Sequence, residues 1–247
     1  MSSVPGTTHD VVDTPILWKE ETPITLIDTA GITRRAIHDK GLDRSCLLWS
    51  LKAIERSDVC ILVVDAAKGV QSAEQKIAGD IVDNKRSVIV AINKCDLLIN
   101  QRNETKEAYE KLVREELKFM SWVPLVFVSA TTGFQVSKLV DVALDIYYKR
   151  YERIPTHKLN ELVKKAAQVR PPPTKGHIRL SIDFCTQTKS SRPTFLFFVN
   201  YPELVHFSYE RFLENFIREH YEFPGTPIKL IFKKKVGGHA KYTKKKD

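Results

Sequence analysis

The sequence predicts a doubly wound, mostly parallel α/β sheet followed by a small α+β domain. Strand-like and helix-like segments alternate through the first 150 residues, composition shifts at Tyr151-Glu152-Arg153-Ile154-Pro155, and charge changes sharply across that break. With 247 residues, 43% of them apolar, the chain can fill a core in each of two domains. The expected divisions are residues 1–152, residues 153–236 and a basic, disordered tail at 237–247.

A strand at Ile24–Ile27 is followed by a helix from about Asp43 to Arg56, in which Leu47, Leu51 and Ile54 recur at helical spacing. The run Val59 to Val64 is apolar without alternation, which predicts a central strand covered on both faces. A helix near Ser72–Asn84 leads to a strand at Ser87–Ile92, and a helix near Glu104–Phe119 leads to a strand at Pro124–Val128. The helix from about Gln135 to Arg150 places Leu139, Val142 and Ile146 on one face. Past the break the pattern reads as a helix (Lys158–Gln168), a triple-proline loop at 171–173 and two strands (His177–Thr186 and Thr194–Asn200). A helix (Ser208–Tyr221) and a strand (Ile228–Lys233) complete it.

No stretch approaches the roughly 20 apolar residues of a membrane-spanning helix, so no membrane partner is expected. The N-terminus has neither the basic segment nor the apolar core of a signal peptide, and the expected location is the cytoplasm. Cys46, Cys60, Cys95 and Cys185 are far apart and offer neither a disulfide framework nor metal-ligand spacing; they are expected reduced and mostly buried. Residues 151–247 hold 19 Lys and Arg against 9 Asp and Glu, whereas residues 1–150 hold 20 against 21. A strongly basic second part points to a polyanionic partner, with a merely solubilising basic surface as the alternative.

Asn93-Lys94-Cys95-Asp96 follows a predicted strand, where an open α/β sheet presents its ligands. The Asp96 carboxylate can accept both hydrogens from N1 and the exocyclic amine of guanine, a pattern that adenine lacks. Asn93 can tether neighbouring loops, and the aliphatic stem of Lys94 can cover the ring. Asp28-Thr29-Ala30-Gly31 follows the strand Ile24–Ile27; Asp28 there can hold a Mg²⁺-bound water, and the Gly31 amide can approach a γ-phosphate. Ser129-Ala130 ends the strand near Val128 and could offer a backbone N–H to the guanine carbonyl.

With these motifs the chain resembles the translation-factor-related GTPases, and more narrowly the Der (EngA) family of ribosome-assembly GTPases. The narrower resemblance rests on Pro5-Gly6-Thr7-Thr8 followed by Asp10, on Leu26-Ile27-Asp28-Thr29-Ala30-Gly31-Ile32, and on Leu51 to Asp58. It continues with Pro193-Thr194-Phe195, Phe198 to Leu204, His206 to Tyr209 and Gly225-Thr226-Pro227-Ile228. It implies a P-loop-GTPase-type sheet, a KH-like second domain, GTP or GDP with Mg²⁺ as cofactors, and a monomer acting on the large ribosomal subunit and its rRNA rather than on DNA. Thr8 matches the switch threonine that binds Mg²⁺, and Ile32 stands where a water-orienting Gln stands in many regulatory GTPases. An apolar side chain cannot orient that water, so hydrolysis would need another aid, such as a monovalent cation.

The chain departs from the family at one point: no G-x-x-x-x-G-K-[ST] loop occurs among its ten glycines. That loop would supply the amides and the lysine that cradle phosphates. In this fold the preceding strand lies between those at Ile24–Ile27 and Val59–Val64, so its loss should expose two strand edges and an apolar gap the size of a helix. A truncated GTPase is the leading expectation, with a nucleotide-free docking module and a split protein as alternatives. The second domain lacks the G-x-x-G loop with which KH domains clamp RNA. Phe195, Phe197 and Phe198 are expected in its core, and Lys233, Lys234 and Lys235 are the expected phosphate contacts.

Overall fold

A computed structural model describes residues 13–27, 50–101 and 105–235. Its contacts form two units: Met1–Lys149 with Pro224–Pro227, and Arg150–Phe223 with Ile228–Asp247. Thr8, Asp28 to Ile32 and the tail beyond residue 235 lie outside the described residues.

The first unit begins with an antiparallel ribbon, β1 (Asp13–Trp18) and β2 (Thr22–Ile27), in which Pro15 pairs with Thr25. The sequence reading missed β1, because a proline within a short run argues against a strand. Lys19 and Glu20 turn the chain with left-handed φ values of 50° and 65°. The Trp18 indole N–H donates to Asp141 at 3.0 Å, and Lys19 pairs with the same carboxylate at 2.8 Å.

A helix, α1, is described over residues 50–56 and buries Ala53 and Ile54. Then come β3 (Val59–Asp65), α2 (Ser72–Asp83), β4 (Ser87–Asn93), α3 (Asp96–Gln101), α4 (Lys106–Glu116), β5 (Leu125–Phe127) and α5 (Val136–Lys149). Strands β3, β4 and β5 lie side by side in that order, all parallel. On one face Leu62, Val64, Val90 and Ile92 pack with Ile81, Tyr109 and Val113; on the other Ile89, Ala91 and Val126 pack with Ile146 of α5. Helices on both faces account for the unbroken apolar character of β4, of which residues 87–92 are all buried.

The expectation of a central β3 needs correcting. Among the described residues β3 pairs only with β4. Ile61 and Val63 face the α5 side beside Ile89 and Ala91, yet are 39% and 55% exposed.

The first unit also holds the tetrapeptide 224–227. Val88 N–H donates to the Gly225 carbonyl at 2.6 Å, Gly225 N–H donates to Trp122 at 3.2 Å, and the buried hydroxyls of Ser87 and Thr226 lie 3.0 Å apart. Gly225 has φ +60°, and a Cβ there would lie 2.5 Å from Ile146 Cδ1 and 2.6 Å from the Val88 carbonyl oxygen.

The second unit contains α6 (Thr156–Val169), a hairpin of β6 (Thr174–Lys175) and β7 (Ile178–Arg179), β8 (Ile182–Gln187), β9 (Thr194–Val199), α7 (Phe207–His220) and β10 (Lys229–Lys234). The sheet order is β10-β9-β8, with β10 parallel and β8 antiparallel to β9. Cys185, Phe195, Phe197, Val199 and Leu230 pack against Leu159, Val163 and Ala166 of α6 and Leu213 and Ile217 of α7. Phe198 has the opposite parity in β9, so it is a correction to the expected core set: it is half-buried and faces away, beside Phe184.

The single strand expected at His177–Thr186 is divided. The Asn200 side chain takes the place of a ladder partner there, accepting from Ser181 N–H at 2.9 Å and donating to the Arg179 carbonyl at 2.8 Å. Further along, the Asn160 amide of α6 bonds both backbone groups of Cys185 at 2.8 Å. Cys60 and Cys185 are buried free thiols and Cys95 is half-buried. Among the described residues no helix is long and apolar enough to cross a membrane.

Candidate nucleotide site

The carboxyl ends of β3, β4 and β5 converge through their loops. β4 ends at Asn93, whose side-chain oxygen accepts from Lys94 N–H at 2.9 Å and from Ala130 N–H at 3.0 Å. Asn93 thus ties the turn after β4 to the turn after β5. Val128 N–H donates to Ile92 at 2.8 Å and Cys95 N–H to Val128 at 3.2 Å, which extend the same junction.

Lys94 takes a left-handed φ of 62°. For a residue with a side chain this costs on the order of 1 kcal/mol, and such strain is held only where neighbours enforce it. One neighbour is Asp65 at the end of β3, whose Oδ2 lies 2.7 Å from Lys94 Nζ while its Oδ1 accepts from Ala67 N–H at 2.9 Å. Burial works against the charged Asp65 carboxylate, but the Lys94 and Ala67 hydrogen bonds and the charges of Lys94 and Lys68 outweigh it, so the group titrates below the usual carboxylate range. The sequence reading missed Asp65, although an acidic residue ending a strand adjacent to β4 was a legible signal.

Asp96 opens α3 and is half-exposed, and among the described residues no hydrogen bond occupies its carboxylate. It remains able to accept two donors from one edge of a base. Burial, and then the neighbouring Asp96 charge, raise the Cys95 thiol above its ordinary range. Ser129 N–H donates to Phe134 at 3.1 Å, its hydroxyl accepts from Thr132 N–H at 3.3 Å, and Gly133 N–H caps its carbonyl at 2.9 Å. The backbone N–H of Ala130 is held by Asn93, so a base carbonyl at that amide has to share or displace the Asn93 oxygen.

The structure therefore brings Asn93, Lys94, Cys95, Asp96, Ser129 and Ala130 to one end of the sheet. This donor and acceptor set fits a guanine base. The expected Mg²⁺ contacts Thr8 and Asp28, and the γ-phosphate segment Thr29, Ala30, Gly31 and Ile32, fall outside the described residues. Among the described residues no three His, Cys, Asp or Glu side chains group as a metal site. In the second unit Lys233 is exposed, Lys234 lies 5.8 Å from the centre of the Tyr201 ring, and Lys235 pairs with Asp183 at 3.4 Å.

Three family models match the chain. The one described as KH-domain-like of EngA bacterial GTPase enzymes, C-terminal, covers residues 153–233. That of the elongation factor Tu GTP binding domain covers 50–149, and that of the 50S ribosome-binding GTPase covers 1–94. Among curated relatives, GTPase Der of Thermomicrobium roseum is 49% identical over 236 residues, which are 95% of this chain and 51% of the relative. GTPase Der of Chloroflexus aggregans is 44% identical over 234 residues, 94% of this chain and 52% of the relative. The chain thus spans about half the length of the curated relatives it matches. A solved structure of an Aquifex aeolicus Era variant bound to GDP·AlF4⁻ shares the fold, with TM-score 0.50 and 19% identity over 96% of this chain and 84% of that one. A GTPase-type α/β unit, a KH-like unit and this level of identity together make the chain similar to the GTPase Der proteins over the half of their length that it spans.

Proposed function

We propose that the chain is the guanine-nucleotide-sensing and RNA-contacting part of a ribosome-assembly GTPase acting on the large subunit in the cytoplasm, as a monomer. The observation that carries this reading is the Asn93 junction: one side chain bonds Lys94 and Ala130, and at the same sheet end no hydrogen bond among the described residues occupies the Asp96 carboxylate. In this reading the GTPase domain is 1–152 and the KH-like domain 153–236. Asp96 selects guanine, Thr8 and Asp28 hold Mg²⁺, the latter through water, and Gly31 meets the γ-phosphate. A monovalent cation takes the part that Ile32 cannot play, and Lys233, Lys234 and Lys235 meet rRNA phosphates.

A second reading, a nucleotide-free docking module, is favoured by β3, which pairs only with β4 among the described residues, and by the exposure of its Ile61 and Val63. Titration of the 247-residue chain with a fluorescent guanine nucleotide and Mg²⁺, in excess ATP, separates the two. Binding tighter than about 10 μM, roughly −7 kcal/mol, that weakens in Asp96→Asn supports a working nucleotide site. No binding leaves the docking module.

A further inference from the structure

Both long helices of the second unit pack on one face of its sheet, through Phe195, Phe197 and Leu230. The opposite face carries a different set of side chains. There Phe184 of β8 is 42% exposed, and its ring lies 6.0 Å from that of Phe198 in β9, tilted by 38°. Lys233 stands directly opposite Phe198 in the β10–β9 register, and Lys229 lies at the other end of the same row; both are exposed. Asp183, the acidic residue next to Phe184, is already paired with Lys235 at 3.4 Å.

We propose that this face, with Phe184 and Phe198 as a stacking platform and Lys229 and Lys233 as flanking cations, binds single-stranded RNA. An apolar patch alone would suit a protein. Here Phe184 is exposed, the half-buried Phe198 beside it stands next to Lys233 in the register with Lys229 in the same row, and the adjoining Asp183 carboxylate is paired with Lys235. That chemistry matches unpaired bases linked by phosphates, because a base offers a π-face to each ring while the backbone runs along the lysines. The face is opposite to the one that α6 and α7 cover, and no G-x-x-G loop contributes to it, since the sequence has none. It rests on the reading that this chain contacts RNA, and it specifies where and how.

The test is fluorescence anisotropy of the full chain with a fluorescein-labelled oligouridylate across a salt series. Phe184→Ala should weaken binding about 10-fold at fixed salt without changing the salt slope, and Phe184→Tyr should restore it. Lys233→Ala should instead lower that slope by about 1. Phe184 is exposed, so its truncation leaves the core intact. Wild-type binding that Phe184→Ala does not weaken overturns the platform while leaving RNA contact in place. If the same variant abolishes self-association in sedimentation, the face docks protein and the platform is again overturned. An absence of oligouridylate binding by the wild type at low salt overturns both the platform and the RNA reading.

Discussion

Lys94 Nζ lies 2.7 Å from Asp65 Oδ2, so the residue that follows β4 is anchored to the last residue of β3. The pair links neighbouring parallel strands at the end where the candidate base-recognition residues gather. It also holds a lysine whose backbone is left-handed.

The pair predicts an acid-dependent loss of stability. Because the folded-state pKa of Asp65 is lowered, its contribution is fully present above the ordinary carboxylate value of about 3.9, and is lost as pH falls through the lowered value. Asp65→Asn should cost about 0.5–1 kcal/mol at pH 7, the scale of a partly exposed ion pair. In urea unfolding at several pH values, the gap between variant and wild type should close toward pH 2. A gap that stays constant from neutral to acid would show that charge is not its cause.

Gly225→Ala should destabilise far more than alanine at an equally left-handed but open glycine. At Gly225 the new methyl meets Ile146 and the Val88 carbonyl, whereas Gly133, with φ +79°, has nothing within 4 Å of the same position. The expected costs are about 2–4 kcal/mol for Gly225→Ala, from strain plus overpacking, and about 1 kcal/mol for Gly133→Ala, from strain alone. Urea midpoints of the two variants measure the difference directly, and equal midpoints would remove the close-packing explanation.

Asn160→Ala should cost about 2–3 kcal/mol, because it strips the Cys185 N–H and C=O of the amide that satisfies both. Hydrogen exchange at the Cys185 amide should accelerate in step with the loss of stability. Asn160→Asp should not rescue the fold, since a carboxylate accepts from the Cys185 N–H but donates nothing to its carbonyl.

Much of this was legible from residue order. The periodicity of Leu139, Val142 and Ile146 located α5, and Asn93 to Asp96 marked the end of β4, because both signals are local. What escaped was non-local. Asp65 acquires its meaning from a lysine 29 residues away. The run Val59 to Val64 reads as central because apolar content registers what a strand is suited to touch, and β3 meets a neighbour on only one side among the described residues. Phe195, Phe197 and Phe198 look alike in sequence, and only the parity of β9 separates two core rings from the one facing Phe184.

The hydrogen bond between Ser87 and Thr226 spans 139 positions, so the first unit cannot acquire all of its contacts when its own 149 residues have been made. During synthesis Val88 and Ser87 wait for a segment that emerges only after α7. Closing so long a loop is slow compared with forming local helices, which makes this clasp one of the last events of folding. A nascent chain halted before residue 224 would therefore present an unfinished α/β unit at the start of its central strand, a vulnerable interval in which proteases and chaperones have access that the completed chain denies them.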